Sequence, residues 1–275
     1  MGLWLSVPTG RAAVLGRPIS HSLSPVLHRA AYAALGLDWS YEAIDCGVAE
    51  LPGVLTQRAD WAGFSCTMPL KRALLDVAAE TRPRAAAVGA ANTLLPGADG
   101  WVADNTDVLG IVAALEGADA HSATIVGAGG TAQAAVAAFA ELGITACTLV
   151  VRDPARTGEV RATAAAVGVS VEVELFTADA AALRADVVVS TLPPGAADPL
   201  VDAPWRAGQT LLDVVYAPWP TLLASAAGSA GVRVRSGALM LLHQAAAQVE
   251  LMTGRGAPVA AMRAALRSAS PDAGL

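Results

Sequence analysis

The chain has 275 residues, 54% hydrophobic and only 4% aromatic, an Ala-, Val- and Leu-rich mass that suits helices packed on a parallel sheet and excludes a disordered chain. Its net charge of −6 and pI near 5.2 exclude the clustered positive footprint that nucleic-acid binding requires. Single cores stop growing near ~250–300 residues, so two modest domains are expected in place of one.

In chain order, the start from Met1 to Gly10 lacks the basic and apolar regions of a secretion signal, so a cytoplasmic location with no membrane association is expected. Residues 12–16 read as a strand, and Pro25 opens a helical pattern that runs to Leu35 and stops at Gly36. A strand at 41–45, a helix at about 48–58 and a strand at 61–67 repeat the cycle, with Pro69 expected at the start of another helix. Runs at 91–95 and 101–103 flank the Gly- and Pro-containing residues 96–100 and predict a hairpin. A helix follows from Thr106 toward Leu115, and the domain junction is expected in or just before it. Strands then recur at 123–126, 145–151, 171–175, 186–191, 210–215 and 232–235, before two helical patterns at about 238–253 and 258–268.

The most specific local signal follows the strand at 123–126. Gly127-Ala128-Gly129-Gly130-Thr131-Ala132 matches the GxGxxA dinucleotide turn, and the pattern continues as helix from Gln133. Gly127 permits the tight turn, Gly129 lets the backbone approach a pyrophosphate, and Ala132 allows close helix packing, while the N–H groups at the helix start attract phosphate. The bland alternative is a glycine turn that binds nothing. After the next strand, Arg152, Asp153 and Arg156 stand where ribose recognition is decided. Asp153 suits the ribose hydroxyls of NAD, whereas Arg152 and Arg156 suit the 2′-phosphate of NADP; two cations around one acid favour NADP and leave NAD open.

A second set of polar residues collects at the expected C-terminal ends of strands in the first half, where open α/β sheets bind ligands. These are Ser22 and Ser24, then Thr67 and Lys71, with Asn92 and Asp107 near the junction. Lys71 is the only lysine among 18 basic residues, and a lysine amine, unlike an arginine, can lose and regain its proton. Hydroxyl, amide, amine and carboxylate together suit a small polyhydroxylated carboxylate. Singly, each residue has an ordinary structural use: Ser24 and Asp107 as helix caps, Asn92 as a turn holder. Cys46, Cys66 and Cys147 stand far apart, and His21, His28, His121 and His243 lack metal-site spacing, so neither a disulfide nor a metal is expected.

Assembled, these motifs resemble the shikimate dehydrogenase family over nearly the whole chain. The segments that carry the resemblance are Gly16-Arg-Pro-Ile-Ser-His-Ser22-Leu-Ser24-Pro25, Ser65-Cys-Thr67-Met-Pro-Leu-Lys71, Gly89-Ala-Ala-Asn92-Thr93, Asp104-Asn-Thr-Asp107, the Gly127 turn and Leu241-Leu-His-Gln244-Ala-Ala246. The resemblance implies an α/β fold of two domains: an N-terminal substrate domain at 1–107 onto which 238–275 packs back, and a Rossmann-type NADP domain with a parallel sheet at 108–237. It implies substrate positions at Ser22, Ser24, Thr67, Asn92, Tyr216 and Gln244, with Lys71 and Asp107 as the catalytic pair. It implies cofactor positions at Gly127, Gly129, Gly130, Arg152, Arg156, Thr191, Val214 and Gly237. The activity implied is NADPH-dependent reversible reduction of 3-dehydroshikimate to shikimate.

Three departures stand out: the family's Asn-Arg-Thr appears as Val151-Arg152-Asp153, its Asn-Val-Thr as Ser65-Cys66-Thr67, and its Gly after the catalytic Asp as Val108. An NAD-dependent quinate or shikimate dehydrogenase is the alternative within enzymes. A non-catalytic dinucleotide-binding sensor is the alternative outside them, and the intact Lys71 and Asp107 argue against it. The expected partner is the small-molecule substrate, with a homodimer as the alternative to a monomer.

Overall fold

Short β-branched and alanine-rich runs punctuated by Pro and Gly favour brief strands joined by helices. The computed structural model describes residues 9–275 and, among them, twelve strands and ten α-helices that form two compact units. Unit 1 takes in the described residues up to Thr106 together with Gln244–Ala269. Unit 2 takes in Asp107–His243 and Ser270–Leu275. The return to unit 1 thus falls at Gln244, six residues beyond the position the sequence suggests, and the last six residues group with unit 2.

Unit 1 starts with β1 (Thr9–Gly16), α1 (Ser24–Ala34), β2 (Ser40–Asp45), α2 (Leu51–Thr56) and β3 (Trp61–Cys66). It continues with α3 (Ala73–Val77), β4 (Glu80–Thr81), α4 (Pro83–Val88), β5 (Thr93–Pro96) and β6 (Trp101–Asp104). The sheet order is β2-β1-β3-β5-β6-β4: β1 is parallel to β2 and β3, β5 is antiparallel to β3 and β6, and β4 is parallel to β6. Leu15 lies opposite Cys66, so β1 and β3 end at the same level and their outgoing loops leave the same sheet edge. Leu15, Phe64, Leu70, Leu74 and Leu94 are wholly buried and form the core on that sheet.

Local details differ from expectation at three places. Pro69 does not begin a helix: it sits inside a turn closed by the Leu70 N–H on the Thr67 carbonyl at 2.8 Å, and α3 begins only at Ala73. The helix expected at 48–58 is confined to Leu51–Thr56: before it the Leu51 N–H closes a turn on the Val48 carbonyl at 3.4 Å, and the Glu50 carboxylate accepts from the Gly47 N–H at 3.1 Å. Ser24 is inside α1 and is not its cap; the Ser22 hydroxyl instead accepts from the Ser24 N–H at 3.3 Å.

Unit 2 is a regular βα series: α5 (Asp107–Ala114), β7 (Ala123–Val126), α6 (Gly130–Glu141), β8 (Ala146–Val151), α7 (Gly158–Val167) and β9 (Ser170–Leu175). It continues with β10 (Val187–Ser190), β11 (Thr210–Asp213), α8 (Leu222–Ser229) and β12 (Arg233–Ser236). All neighbours are parallel in the order β12-β11-β10-β7-β8-β9. Counted within the unit this is 6-5-4-1-2-3, the doubly wound dinucleotide order, whose switch point lies between β7 and β10. Two further helices, α9 (Gly237–Thr253) and α10 (Val259–Ala269), close the chain; the unit division falls inside α9, and α10 packs on α1. The three cysteines are free and buried, and among the described residues no helix is long and apolar enough to cross a membrane.

Candidate active site

In unit 1 the loops leaving β1 and β3 are laced together by backbone bonds. The Thr67 N–H donates to the Leu15 carbonyl at 2.9 Å, and the Arg17 N–H donates to the Met68 carbonyl at 3.0 Å. This sets Ser22 on one loop, with Ser24 at the start of the helix that follows it, and Thr67 and Lys71 on the neighbouring loop. The half-buried Lys71 is fixed further by its own carbonyl, which accepts from the Ala91 N–H at 2.7 Å. Ser24 is only 6% exposed, and its N–H donates to the Ser22 hydroxyl at 3.3 Å, which ties the two serines together.

The same lacing brings in Asn92 and Gln244. The Asn92 carbonyl accepts from the Cys66 N–H at 2.7 Å, and the Asn92 N–H donates to the Asp104 carbonyl at 3.0 Å. The Asn92 side chain, 2% exposed, accepts at Oδ1 from the Thr106 N–H and the Thr93 hydroxyl, each at 2.8 Å. Its Nδ2 donates to the Thr106 hydroxyl at 3.0 Å and to Gln244 Oε1 at 3.4 Å. Asn92 therefore holds the chain on both sides of it, in keeping with its ordinary structural use, and also faces Gln244 on α9.

The sequence reading missed the supports of this loop. Asp104 pairs with Arg82 at 2.9 Å and accepts from the Asn105 N–H at 2.7 Å, and Asn105 Nδ2 donates to the Ala90 carbonyl at 2.9 Å. The Asp104-Asn-Thr-Asp107 motif is the only signal that points to them. Unit 1 thus gathers Ser22, Ser24, Thr67, Lys71, Asn92 and Gln244, whereas Asp107 opens α5 as the first residue of unit 2 and Tyr216 also lies in unit 2.

In unit 2 the glycine turn lies at the switch point of the sheet. Gly127 has φ +113°, and a Cβ there would stand 2.5 Å from the Thr191 hydroxyl oxygen. Only glycine meets both conditions. Thr191, leaving β10, donates from its hydroxyl to the Val126 carbonyl at 2.9 Å, which seats it against the turn. Gly129 and Gly130 meet the opposite condition: a Cβ at Gly129 would touch nothing within 4 Å. α6 starts at Gly130 with no side-chain cap and no acidic residue in its first turn. Open space beside Gly129, next to a helix start without a side-chain cap, fits a dinucleotide pyrophosphate, with Ala128 and Thr131 beside the glycines.

Past β8, Arg152 and Arg156 are exposed, and the Arg152 guanidinium lies 5.9 Å from the Phe176 ring centre. Asp153 caps the short 3₁₀ turn Pro154–Thr157, its Oδ1 accepting from the Ala155 N–H at 2.9 Å. One oxygen of the acid that motivates NAD is thus committed to the backbone. At the end of β11 the buried Asp213 accepts from the Val215 N–H at 3.2 Å and the Thr221 hydroxyl at 2.7 Å, fixing the segment that carries Val214 and Tyr216. Burial pushes the Asp213 carboxyl and the Tyr216 phenol above their ordinary ranges. A Cβ on Gly237 would collide with the Val214 carbonyl, so that close approach also demands glycine. Nothing in the sequence pattern singles out Asp213.

Comparison with known proteins fits this arrangement. The model for the shikimate dehydrogenase substrate binding domain matches residues 14–94, and that for the shikimate 5′-dehydrogenase C-terminal domain matches residues 237–267. A shikimate dehydrogenase (NADP(+)) of Moorella thermoacetica is 36% identical over 276 aligned positions, covering 95% of this chain and 94% of the relative. The crystal structure of Mycobacterium tuberculosis shikimate dehydrogenase superposes with a TM-score of 0.85 at 50% identity, covering 94% of this chain and 99% of the other. The Thermus thermophilus shikimate 5-dehydrogenase in complex with NADP(H) and shikimate superposes with a TM-score of 0.81 at 33% identity, covering 94% and 99%.

Proposed function

The chain belongs to the shikimate dehydrogenase family, and from that premise we propose how its own residues divide the work. It is an oxidoreductase that reduces 3-dehydroshikimate reversibly to shikimate with NADPH, a step toward the aromatic amino acids. The observation that carries the assignment of roles is Lys71, the only lysine, half-buried in the loop after β3 and tied by its carbonyl to the strand-entry loop that holds Asn92.

Reduction of a ketone places negative charge on its oxygen, and the Lys71 ammonium donates the proton that neutralises it; in the reverse direction the neutral amine takes the hydroxyl proton. Asp107 is the carboxylate we assign as its catalytic partner. Ser22, Ser24, Thr67, Asn92, Tyr216 and Gln244 hold the substrate carboxylate and hydroxyls, a reading supported by the contact of the Asn92 amide with Gln244. When bound, NADPH supplies the hydride. Gly127, Ala128, Gly129, Gly130 and Thr131 would hold its pyrophosphate, Arg152 and Arg156 its 2′-phosphate, and Thr191, Val214 and Gly237 complete the set.

On this reading residues 1–107 with 238–275 handle substrate and 108–237 handle coenzyme. The three free, buried cysteines fit a reducing cytoplasm. The test is a substrate and coenzyme panel on the purified protein, following reduced nicotinamide by absorbance. We expect shikimate with NADP to give a kcat/KM at least about ten-fold above NAD, since charge-assisted bonds to the 2′-phosphate are lost with NAD. Equal or better turnover with NAD and quinate would favour the quinate reading, and no turnover with any pair would leave a binding protein.

A further inference from the structure

Gln248 stands one helical turn beyond Gln244 on α9 and is 1% exposed. Its Nε2 donates to the Asn92 carbonyl at 3.2 Å and to the Thr93 hydroxyl at 3.0 Å. Its Oε1 accepts from the Ser65 hydroxyl at 2.7 Å and meets His28 Nε2 at 3.3 Å. The Tyr41 hydroxyl donates to Ser65 Oγ at 2.6 Å, and the Tyr32 hydroxyl lies 3.3 Å from His28 Nδ1. The His28 ring also stacks on Tyr41 with centroids 4.0 Å apart. Every one of these side chains is buried.

The directions in this chain of bonds are forced. A backbone carbonyl only accepts, so the Gln248 atom facing Asn92 is its nitrogen and the atom facing Ser65 and His28 is its oxygen. His28 Nε2 must then carry the proton, which leaves Nδ1 to accept from Tyr32. Burial holds the His28 pKa down to about 3, so the ring is neutral and the single tautomer persists. At the other end, the Thr106 N–H only donates, so Asn92 turns Oδ1 toward it and Nδ2 toward Gln244. Thr93, held by Gln248, donates to that same Oδ1.

We propose that Gln248 is a positioning residue for the substrate site: through Thr93 and the Asn92 carbonyl it locks the Asn92 amide with its nitrogen toward Gln244, so that Asn92 acts as a donor. Ser65, which stands where the family pattern carries Asn, is the link that ties Gln248 to Tyr41. The proposal rests on the reading that Asn92 and Gln244 bind substrate.

The experiment is a double-mutant cycle of Asn92→Ala and Gln248→Met, with shikimate affinity measured by calorimetry and KM and kcat measured beside it. Gln248→Met is expected to weaken shikimate binding about ten-fold, the scale of one or two lost buried bonds, with the NADP KM within about two-fold of wild type. Because Gln248 acts through Asn92, the double variant should bind shikimate no more weakly than Asn92→Ala alone. Losses that multiply, or a shikimate affinity left unchanged by Gln248→Met in a folded protein, overturn the proposal. If Gln248→Met does not fold, Ser65→Ala, which removes one bond and almost no volume, must raise the shikimate KM about three-fold; an unchanged KM overturns it. Asn92→Ala without effect on shikimate would strike down the underlying substrate reading, and the proposal with it, a result distinct from failure of the cycle.

Discussion

His28 has 0% exposure and is held as a neutral ring, its pKa pushed down to about 3 by burial against an ordinary 6.5. In the unfolded chain the ring takes up a proton below about pH 6.5, whereas the folded ring stays neutral until near pH 3, so the unfolded state binds more protons in that window. Stability must therefore fall as pH drops from 6.5, with a slope approaching ~1.4 kcal/mol per pH unit from this one group. Urea unfolding of the wild type and His28→Phe between pH 6.5 and 5 checks it, the difference between the two isolating this one group: the variant should be less stable at neutral pH and its pH profile flatter. The same residue marks a limit of sequence reading. His28 is visible in the sequence as one of four scattered histidines, but its partner Gln248 is 220 positions away, and no local pattern announces a bond of that separation. Lys71 was legible for the opposite reason, since being the only lysine is a property of the sequence itself.

Among elements, the glycine turn was the most legible because strand, turn and helix are consecutive, and the backbone requirement is written in three residues. Its glycines nevertheless do different work, which only coordinates separate. Gly127 is required by φ +113° and by the Thr191 hydroxyl, whereas Gly129 faces open space. Gly127→Ala should therefore destabilise the protein by ~1–3 kcal/mol, from backbone strain and overpacking. Gly129→Ala should leave the melting temperature unchanged while weakening NADP binding about ten-fold or more, because the added methyl would enter the space proposed for the pyrophosphate. Thermal melts and coenzyme titrations of the two variants check the contrast. Pro69 and Asp153 show where local rules run out. Proline serves a helix start and a turn equally well, and an acid after a strand serves a ribose or a backbone N–H equally well. The Thr67 carbonyl and the Ala155 N–H decide these two cases, and neither choice is encoded in residue type.

At the scale of the whole molecule, the composition foresaw an α/β protein of two parts, and the doubly wound parallel order of unit 2 and the mixed sheet of unit 1 are what those apolar runs build. The first division, after Thr106, coincides with a polar motif; the second falls inside the continuous helix α9, where no glycine or proline interrupts the pattern after Gly237. The proposed chemistry follows the same division, with substrate and proton assigned chiefly to residues of unit 1 and coenzyme to residues of unit 2. The central claim is that Lys71 supplies the proton. Steady-state kinetics of Lys71→Ala, with NADPH affinity measured separately by fluorescence titration, tests it most directly. The account predicts a kcat lower by roughly 10²–10⁴ with NADPH affinity within about two-fold of wild type. A kcat near that of the wild type would contradict it.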